Sequence, residues 1–305
     1  MPWLEIADFG AEGWSPQVES SSRARIYCDQ LEQGKILLFS RPPFDLPTQD
    51  REFLLNQPAS DSRLHKNISY RPQEDVLRGV SDGKDAQQRI HQILSNYSKR
   101  VTAFVSRFLA PYAGQMSLDF ASFRPLEEQG RDLPLHKRND LLHVDAFPSR
   151  PTRGGRILRV FTNIHPEKQR VWLTGEAFAS LAQRHASNAG LDKIVAANSG
   201  LLAGLKRKLP LPGITVAGRS AYDEFMLRFH DYLKENSAFQ HQKHETVTFP
   251  PLATWLVFTD GVPHAALSGQ SALEQTFIVP VFALVSPEQA PIRVLESLCG
   301  RSLAT

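Results

Sequence analysis

Two cysteines, Cys28 and Cys299, are too few for a disulfide framework or a thiolate metal site. Any metal must therefore be held by histidine and carboxylate. No run approaches the roughly 20 apolar residues of a membrane span. The start, Met1-Pro2-Trp3-Leu4-Glu5, has neither the basic residues nor the apolar stretch of a signal peptide, so a cytoplasmic protein is expected. No glycine-rich phosphate loop follows a strand, which argues against a nucleotide-binding α/β enzyme. Charge is nearly balanced: a formal net charge of +3 is too small to indicate nucleic acid. Repeats and low-complexity tracts are absent too. What is present is 41% hydrophobic residues in 305, enough for a full-sized core.

The patterning predicts a strand at residues 36–39, stopped by Arg41-Pro42-Pro43. Residues 84–110 carry Ile90, Ile93, Leu94, Tyr97, Val101, Phe104 and Leu109 at helical spacing. Strands are predicted over 118–123, 141–147, 156–164 and 171–173. Residues 176–238 turn helical, broken at Pro210-Leu211-Pro212-Gly213, with the clearest helix over 222–233. Strands resume at 245–248, 255–259 and 276–284, and a helix closes the chain over 287–300. Two strand blocks with helices before, between and after fit an antiparallel β core better than a βαβ repeat. The expected fold is α+β.

In Leu141-Leu142-His143-Val144-Asp145-Ala146-Phe147, a strand puts His143 and Asp145 on one face. Imidazole and carboxylate then lie close enough to occupy adjacent vertices around one metal ion. A lone His-x-Asp is weak, because a histidine bonded to a neighbouring aspartate is the plainer reading. The second piece is Trp255-Leu256-Val257-Phe258-Thr259-Asp260-Gly261-Val262-Pro263-His264. An apolar strand ends in the Asp-Gly turn signal, and His264 opens the next extended segment. Together, two histidines and one carboxylate make the facial triad of non-haem iron(II) oxygenases, which leaves open positions for ligands. His230 falls in a predicted helix, and His241 and His244 in a polar stretch after it. His264 is therefore preferred.

The run from His143 to Pro166, which opens His143-Val144-Asp145-Ala146-Phe147-Pro148, resembles the Kdo 3-hydroxylase family. So does the run from Trp255 to Gln270. Kdo is 3-deoxy-D-manno-oct-2-ulosonic acid, an acidic sugar of lipopolysaccharide. The resemblance implies a double-stranded β-helix (jelly-roll, cupin-like) core in a single 2-oxoglutarate oxygenase domain over residues 1–305. Within it, 1–115 is support, 116–174 and 245–285 the β core, 175–244 a helical insert and 286–305 the C-terminal helix. It implies iron(II) on His143, Asp145 and His264, with 2-oxoglutarate and O2 as co-substrates and ascorbate as reductant. The implied reaction hydroxylates a Kdo sugar of a lipid A precursor to give Ko.

Many related oxygenases anchor the distal carboxylate of 2-oxoglutarate with an Arg or Lys soon after the distal histidine. Residues 265–280 contain neither. Gln275 is the long polar side chain near that spacing, and Arg124, Arg159 and Asn163 on neighbouring strands are the other candidates. Arg suits a carboxylate because its planar fork bonds both oxygens. Arg150, Arg153 and Arg156 are read as a basic loop after the metal strand, suited to an anionic substrate. Leu205-Lys206-Arg207-Lys208-Leu209 could touch an anionic inner membrane peripherally. Homo-oligomerisation is left open. So are three rival readings: the same chemistry on another small molecule or protein side chain, a non-catalytic cupin-like sugar-binding protein, and a zinc hydrolase.

Overall fold

The structure, a computed structural model, describes residues 1–57, 67–80, 83–198 and 218–304. The basic cluster at 205–209 and the break at 210–213 lie outside the described residues. In chain order the strands are β1 (Trp3–Glu5), β2 (Phe9–Gly10), β3 (Gly13–Trp14), β4 (Ile36–Phe39), β5 (Ile68–Arg71) and β6 (Val76–Arg78). Then come β7 (Ser117–Arg124), β8 (Arg156–Asn163), β9 (Arg170–Thr174), β10 (Glu245–Phe249), β11 (Thr254–Phe258), β12 (His264–Ser268) and β13 (Ala272–Val279). The helices are α1 (Ser20–Glu32), α2 (Thr48–Leu55), α3 (Lys84–Phe108) and α4 (Phe178–His185). They continue with α5 (Leu191–Asn198), α6 (Ala221–Glu235), α7 (Ser237–Gln240) and α8 (Pro291–Cys299).

β8 and β13 are buried along nearly their whole length, where apolar side chains mix with buried polar ones such as Thr162 and Glu274. They sit inside an eight-stranded sheet ordered β1-β4-β11-β8-β13-β7-β5-β6. A three-stranded sheet, β10-β9-β12, supplies the opposing layer. Phe161, Trp255 and Val257 from the large sheet pack against Trp172, Val247 and Phe249 from the small one. That interior is aromatic: Phe249 stacks on Trp255 at 3.9 Å, and Phe161 stacks on Trp255 at 5.2 Å. The other face of the large sheet is covered by α1 and α3, whose apolar stripe Ile90, Leu94, Tyr97, Val101 and Phe104 is fully buried. The result is an α+β fold with a jelly-roll core buttressed by helices.

The predicted helix at 84–110 and the strand at 245–248 differ from the structure only at their ends. Three expectations need correction. Residues 141–147 form no regular strand; they touch β12 through a single bridge, His143 to His264. The register slips there, because Ala266 N–H bonds Asn139 O while Asp145 N–H bonds Thr259 O. The last strand runs Ala272–Val279 rather than 276–284, because Pro280 cannot donate to a ladder and a 3-10 turn, Val281–Ala283, follows. The closing helix begins at Pro291, after a separate turn at Pro287–Gln289.

Arg156 corrects another expectation. It is 1% exposed, on β8 rather than in a loop, and its Nε reaches Asp260 Oδ2 at 2.9 Å. This pair fixes the turn between β11 and β12, and burial keeps the guanidinium away from solvent. Removing one partner of a buried pair strands the other charge. Arg156→Ala is therefore expected to destabilise the fold by about 3–5 kcal/mol, read as a lower midpoint in urea unfolding.

Candidate metal centre

His143 and His264 exchange both backbone hydrogen bonds, at 3.2 and 3.0 Å, which sets their rings side by side with centroids 4.8 Å apart. Each ring is oriented by its own chain. His143 Nδ1–H donates to Leu141 O at 2.7 Å, and His264 Nδ1–H donates to Val262 O at 2.9 Å. Both Nε2 lone pairs are thereby left for a ligand, as expected where a second hydrogen bond fixes a metal-binding imidazole. Asp145 is held by its N–H on Thr259 O at 2.8 Å, and its Oδ1 lies 3.8 Å from His143 Nε2. One donor atom from each of the three residues lies within 4.8 Å of the others.

Burial pushes the pKa of His143 well below its ordinary value, and burial lowers that of His264 as well. Both imidazoles are kept neutral, the form that binds metal. Burial would raise the Asp145 carboxyl, but the Arg159 guanidinium, the two neighbouring imidazoles and a hydrogen bond from Thr259 together outweigh it and hold the group below the ordinary carboxylate range. Arg159 Nε stands 3.2 Å from Asp145 Oδ2 without hydrogen-bond alignment, so that buried oxygen has no protein donor. The pattern has a consequence for metal-free protein. Unfolded imidazoles titrate near the ordinary value of 6.5, whereas the folded ones resist protonation. The unfolded chain then binds more protons below that value. Stability is full above pH 6.5 and lost as pH falls further, so urea midpoints should drop between pH 7.5 and about 5.5. Replacing both histidines by asparagine should flatten that slope.

The donors open onto a cavity of about 40 Å³. Arg124, Arg159 and Arg170 bring positive charge to it, and Phe161, Trp172 and Ala266 form its apolar wall. Trp172 is 2% exposed, stacks on His264 at 5.1 Å, and its indole N–H has no acceptor. Carboxylates separate the guanidiniums. Glu274 lies 2.6 Å from Arg124 Nη2 and 3.2 Å from Arg159 Nη1, and the arginines overcome burial to keep it ionised. Glu128 lies 3.1 Å from Arg170 Nη2 and 3.6 Å from Arg131 Nη1. Arg170 also donates to Gly269 O at 3.0 Å. Gly269 has φ +119°, and a Cβ there would meet Arg170 Cγ at 2.6 Å, so a larger residue would push the guanidinium away. From the helical insert, His230 meets the His143 ring edge-on at 5.0 Å. Lys234 is buried one turn further on, its pKa pushed down by that burial to about 8.

A family model described as 3-deoxy-D-manno-oct-2-ulosonic acid (Kdo) hydroxylase matches residues 14–302. The chain belongs to the Kdo hydroxylase family. Solved structures of KdoO, described as a Kdo hydroxylase and a non-haem Fe(II) α-ketoglutarate-dependent dioxygenase, have the same architecture. Its apo form is 33% identical, with a TM-score of 0.79, over 100% of this chain and 98% of that one. A complex with α-ketoglutarate and Fe(III) is 34% identical with a TM-score of 0.79, over 99% and 97% of the two chains. A cobalt(II) complex is 34% identical with a TM-score of 0.80, over 100% and 98%. No curated protein matches the sequence significantly.

Of the residues singled out in this Kdo hydroxylase sequence, the structure brings His143, Asp145, His264, Arg124 and Arg159 to one cavity. Asn163 and Gln275 stand elsewhere. The Asn163 amide donates to Lys168 O at 2.9 Å and Pro250 O at 3.1 Å, and its oxygen accepts from His165 N. It ties loop backbone at the end of β8. Gln275 faces the helical side of the sheet, opposite Val160 and Ala121, and donates to Asp119 O and Thr276 O. Arg150 pairs with Asp119 at 2.8 Å and lies over Phe147 at 4.4 Å, a ring that Arg159 also approaches at 5.7 Å. Arg153 is exposed with φ +52°, and Asp223 accepts its backbone N–H. The sequence reading missed Arg170, Trp172, Glu128 and Glu274. Arg170 and Trp172 were within reach of it, since alternation along β9 puts both on the inward face.

Proposed function

We propose that this Kdo hydroxylase acts on position 3 of a Kdo unit carried by a lipid A precursor, giving Ko, through iron(II) held by His143, Asp145 and His264. The observation that carries this reading is the union of that donor set with an arginine-lined cavity in a chain of this family. The residues fit the ion. Two oriented Nε2 atoms and an ionised carboxylate with an unpartnered oxygen are the hard and borderline donors iron(II) takes. Asp145 fills the position a halide would need, which favours hydroxylation over halogenation. When bound, iron(II) and 2-oxoglutarate supply an oxidant from O2 that converts a sugar C–H to C–OH, with succinate and CO2 as co-products. Ascorbate would keep the iron reduced.

The chain's own part is binding, orientation and exclusion of water. Arg124 and Arg170 would hold the distal carboxylate of 2-oxoglutarate, with the free Trp172 indole N–H as a further donor. Arg159 lies against Asp145 and orients it. Around the cavity, Arg124, Arg131, Arg159 and Arg170 face Asp145, Glu128 and Glu274, an excess of one positive charge. Iron(II) and the dianion of 2-oxoglutarate cancel, so that excess is left for the carboxylate of Kdo. Arg150 and Arg153, more exposed, suit the anionic groups beyond it.

We read residues 1–305 as one oxygenase domain. No helix among the described residues is long and apolar enough to cross a membrane. A lipid-borne substrate suits a cytoplasmic enzyme in peripheral contact with the inner membrane. Co-sedimentation with anionic vesicles at low but not high salt is expected; no sedimentation at either would contradict membrane contact. The regiochemistry is tested by NMR of the sugar released from product. A hydroxyl at position 3 is expected, and one elsewhere overturns the assignment.

A further inference from the structure

His143 pairs with His264 along one edge of its extended segment, so the backbone groups of Leu142 point to the opposite edge. No strand among the described residues lies there. Leu142 is 1% exposed, and an unpaired buried N–H or C=O costs about 1–3 kcal/mol. The side chain of Gln240, at the end of α7, fills the gap. Its Oε1 accepts Leu142 N–H at 2.9 Å, and its Nε2 donates to Leu142 O at 2.9 Å. The second Nε2 hydrogen goes to Leu233 O on α6, at 2.7 Å. A carboxamide has the donor and acceptor of a peptide group side by side, and here it makes both bonds that a neighbouring strand would make.

We infer that Gln240 is a positioning residue for the metal centre, a side chain that replaces the missing strand beside Leu142 and thereby fixes His143. This rests on the metal reading given above. Besides the packing of Leu142 and Val144, the segment from 141 to 145 is anchored by the His264 bridge, the Asp145 N–H bond to Thr259 O, the Arg159 pair with Asp145 and the His143 ring's bond to Leu141 O. That last bond makes ring orientation depend on the Leu141–Leu142 backbone, which Gln240 holds. Gln240 also bonds α6, the helix that lays His230 on His143. The helical insert is therefore wired to the metal segment at two points.

The test uses cobalt(II), followed by its visible absorption, and backbone amide exchange. The variants are Q240M, which keeps length and deletes all three bonds, and Q240E. The latter keeps an acceptor for Leu142 N–H but sets an oxygen against two carbonyls. Both are expected to bind cobalt about 10- to 100-fold more weakly, the usual cost of losing an outer partner of a metal ligand, with altered absorption bands. In Q240M, which leaves the Leu142 N–H without its acceptor, Leu142 amide exchange should accelerate. E32Q disturbs a remote buried network, Glu32 with Val285 and Ser286 N–H, and should lose stability with cobalt affinity unchanged. If Q240M does not fold, Q240N withdraws the same bonds more gently, being one methylene short. Wild-type protein that fails to bind cobalt sinks the metal reading itself. Wild-type binding matched by Q240M and Q240E, in affinity and spectrum, overturns the role of Gln240 alone.

Discussion

Alanine in place of His143 or His264 is expected to reduce succinate formation and sugar hydroxylation to background, with the protein still folded. Each imidazole is oriented by a carbonyl two residues earlier in its own chain, so neither can replace the other. Even an outer-shell partner of a metal ligand costs roughly 10- to 100-fold, and deleting a ligand must cost more. Truncation also removes a buried neutral ring whose presence destabilises metal-free protein at low pH. The apo variants should therefore be less sensitive to acid than wild type while being unable to turn over. Iron content and succinate yield, measured on the same samples, check this. A variant that keeps iron and turnover would remove that histidine from the donor set.

The second large effect falls on 2-oxoglutarate. Arg124→Met and Arg170→Met are each expected to raise its KM strongly while changing kcat less. Losing one partner of a buried charge pair costs about 2–5 kcal/mol, a factor of about 30 to a few thousand. Lysine at 170 should recover part of this, since it restores charge but not the two-pronged geometry. Arg159→Met should behave differently. It lies against Asp145 as well as Glu274, so its loss should lower kcat too. Unchanged KM in both the Arg124 and the Arg170 variant would place the carboxylate elsewhere.

That His143, Asp145 and His264 come together was legible because two simple rules act on few residues. Side chains two apart in extended backbone share a face, and a turn after an apolar strand returns the chain beside its neighbour. Both rules hold although 141–147 never joins a ladder: extended backbone is enough. The rest was hidden by pairing at a distance. Arg156 looked like one of several loop arginines, and nothing near it in sequence points to Asp260, 104 positions on. Asn163 shares the Arg159 face by alternation, yet lies at the strand end where loop carbonyls need a donor. Gln275 has the right spacing from His264 but the wrong parity: Glu274 takes the inward face instead. Glu128 sits in a loop, where no periodicity applies, and Gln240 in a four-residue helix whose side chain serves a segment 98 residues earlier.

The most direct test is stoichiometric. Purified protein with iron(II), ascorbate, 2-oxoglutarate and a Kdo-bearing lipid A precursor should form equal amounts of succinate and of a product heavier by one oxygen atom. Both should be lost together when His143 or His264 is alanine. Iron-loaded protein that binds the Kdo lipid and forms neither product would contradict the account.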